Sequence, residues 1–225
     1  MITRLVVTGV FTTNSYFLID SETKHGFLID PGAEAANLLN YIKEKNLVIE
    51  KILITHGHFD HIGAVKEISE TLNIPVYVHE KGRKYIQNAV WNLSAGCGKN
   101  ITIKATNYMK NNDVITLEAN SEIILRVIYV AGHTLDGVVF YSENEKAAFV
   151  GDNIFCGGIG RSDFYGGDLV TLLTEIKHKI LTMPEDTVLY PGHGQATTVR
   201  HEKNTNPYFQ MPGKQILKEN ENDYD

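Results

Sequence analysis

The stretch Thr55-His56-Gly57-His58-Phe59-Asp60-His61 constrains this chain more than any other. It follows Lys51-Ile52-Leu53-Ile54, a short apolar run that reads as a buried strand, and precedes residues 63–72, which read as a helix. Four potential metal ligands therefore crowd into a strand-to-helix junction. Imidazole is the common metal ligand near neutral pH, and Asp adds a charged oxygen donor. Such side chains are costly in an apolar core without partners, so the fold must gather them where something satisfies them. On an extended backbone His56 and His58, two apart, project the same way. Asp60 and His61 fall at the turn into the helix and point to a neighbouring position. That geometry suits two metal ions rather than one.

Three more residues sit in matching contexts. His133 follows a strand-like run at 122–130, Asp152 one at 146–150, and His193 one at 187–190. Each stands just past a strand end and beside Gly, which permits sharp turns and close backbone approach. Loops on a rigid scaffold are where sites are built. The chain holds nine His, and five belong to this set; His25, His79, His178 and His201 lack the context and read as ordinary.

With 225 residues the chain could hold one large domain or two small ones, and 43% hydrophobic content is too much for a disordered chain. A net charge of -6 argues against a non-specific nucleic-acid binder. Cys97 and Cys156 lack CxxC spacing and read as reduced thiols. The N-terminus does not read as a signal peptide, and no window approaches an uninterrupted membrane span, so a cytoplasmic protein without a membrane partner is expected. Strands are predicted over 2–10, 14–20, 26–30, 51–54, 75–79, 113–118, 122–130, 137–142, 146–150 and 187–190. Helices are predicted over 34–46, 63–72, 168–180 (with Asp168 as N-cap) and 197–204. Residues 81–112 read as a helix and a long loop, and the polar tail after Pro212 is expected to fray. The order predicts an α/β fold: a four-layer αββα sandwich, two mixed β-sheets with helices outside. One domain is expected over residues 1–210, followed by a polar tail at 211–225.

The set His56-x-His58-x-Asp60-His61, His133, Asp152 and His193 resembles the ligand pattern of the metallo-β-lactamase fold superfamily, over residues 2 to about 209. Leu28-Ile29-Asp30-Pro31-Gly32, Gly160-Arg161-Ser162-Asp163-Phe164 and Tyr190-Pro191-Gly192-His193-Gly194 resemble its glyoxalase II-like (hydroxyacylglutathione hydrolase-like) branch. The resemblance implies that His56, His58 and His133 hold one divalent metal, that Asp60, His61 and His193 hold a second, and that Asp152 bridges them. A carboxylate, with two oxygens, suits the bridging role. Zinc fits these ligands, as do iron and manganese. The implied activity is hydrolysis of S-acyl, in particular S-(2-hydroxyacyl), thiol conjugates by a water shared between the two cations and oriented by Asp60. A single Zn²⁺ already brings water to a pKa of about 7, and a thiol of pKa about 8.5 leaves readily. Asp152 stands where class B β-lactamases carry Cys, which argues against a β-lactam substrate.

Around the ligands, Asp30 is expected either to orient a ligand His or to make an Asx-type turn. By resemblance Arg161 contacts the carboxylates of the thiol carrier; the alternative is a loop Arg paired with Asp163. Cys156 is placed near the pocket but not among the ligands. Full-length glyoxalase II carries a helical C-terminal domain that supplies much of the glutathione site, and the stretch after His193 leaves no room for it, so the thiol carrier stays open. The expected partner is a small-molecule thioester or ester, with no nucleic acid and no membrane. The alternatives are a persulfide dioxygenase with one iron on the same fold, a lactonase or other ester hydrolase, and a binding protein that has lost catalysis. The complete set of seven ligands speaks against the last.

Overall fold

The computed structural model describes residues 1–210; the tail predicted at 211–225 lies outside the described residues. The first sheet comprises β1 (Ile2–Thr8), β2 (Thr12–Ile19), β3 (His25–Ile29), β4 (Val48–Leu53), β5 (Val76–His79) and β6 (Asn107–Met109), in that spatial order. β1 to β3 pair antiparallel, and β3 to β6 pair parallel. The second sheet holds β7 (Val114–Thr116), β8 (Ile124–Tyr129), β9 (Val138–Ser142) and β10 (Ala147–Gly151). A short hairpin follows, β11 (Ile154–Phe155) with β12 (Gly158–Ile159). β13 (Val188–Pro191) and β14 (Thr197–Thr198) then complete the second sheet, whose order is β14-β13-β10-β9-β8-β7. Only β10–β13 is parallel there, so both sheets are mixed.

Strand periodicity explains the layering. Along β2, Tyr16 and Leu18 face the second sheet and meet Leu125, Val127, Phe140 and Phe149; Phe17 and Ile19 face away. A strand buried on both faces reads as a continuous apolar run instead of an alternating one. The outer face of the first sheet is covered by α1 (Ala35–Glu44) and, beyond the short α2 (Phe59–Ile62), by α3 (Val65–Leu72). Leu38 and Ile42, one turn apart, and Val65 and Ile68 make the contact. After the single turn α4 (Arg83–Ile86) the next helix is α5 (Leu169–Glu175), capped by Asp168, whose side chain accepts from the Thr171 N–H at 2.7 Å. Leu172, Ile176 and Ile180 pack on Val139, Ala148 and Val150 of the second sheet. α6 (Val199–Thr205) and α7 (Pro207–Gln210) are the last elements of the described residues. The four-layer αββα architecture expected from the sequence is thus present.

The differences are local. The helix predicted over 168–180 widens to a π segment at Ile176–Ile180, which keeps its apolar residues on the sheet. Residues 107–109, within the predicted loop, form the edge strand β6, too short to show a period-two pattern. The hairpin β11–β12 and the strand β14 are two residues per strand and equally silent in the sequence. The helix predicted over 63–72 starts at Val65, and Phe59–Ile62 form a turn of their own. No helix of the described residues is long and apolar enough to cross a membrane.

The sheets are stitched together at one end. The Asn14 N–H donates to the Gly192 carbonyl at 2.7 Å, and the Tyr16 hydroxyl to the Pro191 carbonyl at 2.6 Å, joining β2 to the end of β13. The Val138 N–H donates to the Thr55 carbonyl at 2.9 Å, joining β9 to the end of β4. Loops leaving β3, β4, β8, β10 and β13 meet there.

Candidate metal centre

Those loops deliver all seven ligand-type residues to one place. His56, His58 and His133 form one group of converging donor atoms, Asp60, His61 and His193 a second, and His56, His61 and Asp152 link them. His56 Nε2 and His133 Nε2 each lie 3.1 Å from His58 Nδ1. Tetrahedral sites with metal–nitrogen bonds of 2.0–2.1 Å put neighbouring nitrogens about 3.3 Å apart, so the trio is spaced as a metal would require. In the second group His193 Nε2 stands 3.2 Å from Asp60 Oδ2, and His61 Nε2 stands 3.9 Å from the same oxygen. Asp152 reaches between the groups: its Oδ1 lies 3.4 Å from His61 Nε2, and its Oδ2 lies 3.3 Å from His193 Nε2 and 3.8 Å from His133 Nε2.

A partner on the far side fixes the tautomer of four of the five rings. His133 Nδ1–H donates to the Arg161 carbonyl at 2.6 Å, and His193 Nδ1–H to the Thr12 carbonyl at 2.7 Å. Asp30 Oδ2 accepts from His61 Nδ1 at 2.9 Å and from the Thr55 hydroxyl at 2.6 Å, while its Oδ1 accepts from the Thr55 N–H at 2.8 Å. The Thr55 oxygen in turn lies 3.2 Å from His56 Nδ1. Four rings therefore present Nε2 inward, held by outer partners that set ring orientation; His58 turns Nδ1 inward instead. Asp30 adopts φ 49°, a left-handed conformation unusual for a non-glycine residue. Gly192 allows the close approach of β13: a Cβ there would fall 2.2 Å from Asp152 Oδ1 and 2.5 Å from His61 Cε1.

The two groups differ electrostatically. Burial, with the neighbouring imidazoles, holds His56 well below the usual imidazole range, and pushes His58 down to about 3. Burial also lowers His133. These three are neutral nitrogen donors at pH 7. Burial would lower His61 too, but Asp152, Asp60 and Asp30 outweigh it and hold it well above its ordinary value. In the same way Asp152 and Asp60 outweigh burial and raise His193 to about 10. Against the opposing effect of burial, His61 and His193 hold Asp60 below its usual value, and Asp152 well below. Among the described residues, His58 Nε2, His61 Nε2 and Asp152 Oδ1 are buried with no hydrogen-bond partner. Such orphans are costly in a protein interior, and a cation shared by His61 and Asp152 would satisfy two of them. The donor set fits divalent metal ions.

The structure brings together the seven ligand-type residues named from the sequence, and surrounds them with neighbours that the sequence does not signal. Arg161 donates from Nε and Nη2 to the two oxygens of Asp163 at 2.9 and 2.6 Å and lies over the Phe164 ring at 4.3 Å; its backbone carbonyl is what steadies His133. Cys156 accepts from the Gln195 amide at 3.3 Å and lies near His201 and Glu202, apart from the seven. His79 stacks on Tyr129, and His25 pairs with Glu50. Thr55 gave no sequence signal; its role follows only from the approach of β3 to β4. Asp136 was also silent. The residue is 2% exposed, and ideal Cβ atoms on Gly57 and Gly82 would come within 3.2 and 2.9 Å of its Oδ2.

A model of the Metallo-beta-lactamase superfamily matches residues 8–193. The chain belongs to this superfamily. It is 38% identical over 208 residues to the probable metallo-hydrolase YqgX of Bacillus subtilis, covering 92% of this chain and 96% of that protein. It is 30% identical over 209 residues to the hydroxyacylglutathione hydrolase GloC of Haemophilus influenzae, covering 92% and 97%. Among solved structures, the BLEG-1 B3 metallo-beta-lactamase superposes with a TM-score of 0.88 at 36% identity, covering 94% of this chain and 100% of that one. TTHA1623 in a di-iron-bound form superposes with a TM-score of 0.81 at 30% identity, covering 92% and 99%. Membership and the His/Asp cluster together make the chain a metallo-hydrolase of this superfamily.

Proposed function

We propose that the chain is a dinuclear hydrolase of S-acyl thioesters, with His56, His58 and His133 holding one metal ion, Asp60, His61 and His193 the other, and Asp152 shared. The observation that carries this is the pairing of a neutral imidazole trio with a carboxylate-rich set across one two-oxygen carboxylate. When bound, two divalent cations, zinc in this proposal, supply Lewis acidity and lower the pKa of water toward neutrality. The protein's own part is positioning. Asp60 is a partly exposed carboxylate in the wall of the adjoining cavity, with Oδ2 3.5 Å from the Thr13 hydroxyl, and is placed to accept a hydrogen bond from the attacking water. Asp30 and Thr55 fix His61 and His56 from behind. A thiolate leaves without a general acid, and none is needed in the site. The likeness to GloC supports a thioester substrate, and that to the di-iron form of TTHA1623 keeps iron among the candidate metals. The small-molecule partner is a thioester or ester.

A second reading, β-lactam hydrolysis, is favoured by the 36% identity to BLEG-1. One preparation separates these: metal content, S-lactoylglutathione cleavage and cleavage of a chromogenic cephalosporin are measured together. Two metal ions per chain with thioester cleavage support the proposal. One iron per chain with sulfite formed from a persulfide, or cephalosporin turnover without thioester turnover, overturns it.

A further inference from the structure

The cavity beside the centre has a volume of about 440 Å³, and five of the donors, His58, Asp60, His133, Asp152 and His193, line it. Its walls are Phe11, Phe59, Leu93, Phe155 and Phe164. Phe11 lies in the turn between β1 and β2, half exposed at 52%, with its ring centroid 5.8 Å from that of Phe59. Phe164 stands edge-on to His58 at 5.7 Å, and Phe155 to His193 at 6.1 Å. Apolar side chains therefore touch both ends of the donor set. Outside the donor set, the cationic side chain among the described lining residues is Arg161, and its guanidinium makes a two-pronged pair with Asp163. That pair holds the Asp163 carboxyl below its ordinary range, so it is ionised and compensates the Arg161 charge. An anionic ligand would have to compete with a carboxylate already in place.

We propose that this cavity selects an uncharged apolar group, aryl or alkyl, next to the scissile carbonyl, and disfavours carriers with free carboxylates. The proposal rests on the hydrolase assignment above and names the substrate class of that site. The apolar group could belong to the acyl part or to the leaving thiol; the chemistry of recognition is the same. Each methylene that the walls take from water should raise kcat/KM about fourfold until the cavity is full.

The test uses metal-loaded enzyme and matched thioesters. Acetyl, butyryl, hexanoyl, phenylacetyl and lactoyl groups are placed on N-acetylcysteamine, a neutral carrier, and on glutathione; a third set varies the alkyl length of a neutral thiol under a fixed acetyl group. The expected result is a climb of kcat/KM with apolar length in the acyl or the thiol series, whichever side occupies the cavity, and a penalty of up to about fivefold for glutathione. Phe11→Ala and Phe164→Ala should flatten the climb. Asp163→Asn, which removes the charge facing Arg161, should shrink the glutathione penalty. Lactoylglutathione turned over as well as the best apolar substrate, or a flat series in both arms, would overturn the inference. Calorimetric binding of uncleavable S-alkyl thioethers to the same protein separates the two levels. Tighter binding with alkyl length but no thioester turnover overturns the thioester-hydrolase proposal and leaves apolar selection by the cavity standing; binding insensitive to length overturns the inference.

Discussion

Asp136 offers a sharp test because its surroundings argue against a charge. The carboxyl is buried, faces Gly57 and Gly82, and leaves Oδ1 without a partner. Burial pushes its pKa from 3.8 up to about 7, against weaker support for the anion from the Thr134 hydroxyl and the Asp136 and Gly57 N–H groups. The sign follows from proton binding. Between the unfolded value and about 7 the native state holds a proton that the unfolded chain has released, so stability falls as pH rises through this window and levels off above it. At 1.36 kcal/mol per unit, a rise of about three units costs about 4 kcal/mol at pH 8. Asn keeps the shape and an acceptor for the Gly57 N–H but cannot ionise. Asp136→Asn should match the wild type near pH 4 and exceed it by up to about 4 kcal/mol at pH 8, the gap widening by about 1.4 kcal/mol per unit between pH 5 and 7. Urea unfolding at pH 5, 6, 7 and 8 measures this, with both proteins at the same saturating metal concentration so that metal linkage cancels. A gap independent of pH, or a variant less stable than the wild type at pH 8, would refute the reasoning.

Asp30→Ala removes the acceptor of His61 Nδ1 and should weaken metal binding about 10–100-fold, read by competition with a chromophoric chelator; unchanged affinity would contradict the orienting role. His61 and His193 are both protonated at pH 7 before a cation enters, so full loading should release about two protons and tighten as pH rises. Calorimetry in buffers of different ionisation enthalpy counts them, and a count near zero sinks the electrostatic picture. Gly192→Ala places a Cβ 2.2 Å from Asp152 Oδ1 and should lower metal content while far-ultraviolet circular dichroism stays native; a normal metal load argues against the tight packing. Asp60→Asn, assayed at saturating metal, should cut turnover by about a hundredfold or more, whereas an unchanged rate removes Asp60 from the chemistry.

The donors were legible because each carries its own local signal: a ligand-type side chain, just past an apolar strand, beside Gly or at a helix start. Four-layer architecture was legible for a related reason, since strands such as Phe17-Leu18-Ile19 and Phe27-Leu28-Ile29 are apolar on both faces and must be covered twice. What stayed hidden depends on neighbours far along the chain. Thr55 matters because Asp30 meets it across β3 and β4. Asp136 reads as an ordinary turn residue until Gly57 and Gly82 are brought against it. Arg161 had two open roles, and the structure displays its pair with Asp163. The apolar walls come from well-separated stretches of the chain, and no window of sequence holds more than a fraction of them.

The two halves of the centre pose different physical problems, and this explains why the donor set tolerates such burial. In the trio, neutral imidazoles bring lone pairs within 3.1 Å of one another, an arrangement that only a shared cation or proton relieves. Depressed pKa values make protons poor occupants there, so a metal meets little competition. In the other half, Asp60 and Asp152 are already compensated by protons on His61 and His193, and in the proposed dinuclear state a metal would enter by exchange. The carboxylates therefore never face the interior as uncompensated charges, which would be costly at this depth. Among the described residues Asp152 has no Arg or Lys partner and is surrounded by the imidazoles of His61, His133 and His193, so in the proposed centre its two oxygens would be available to both halves.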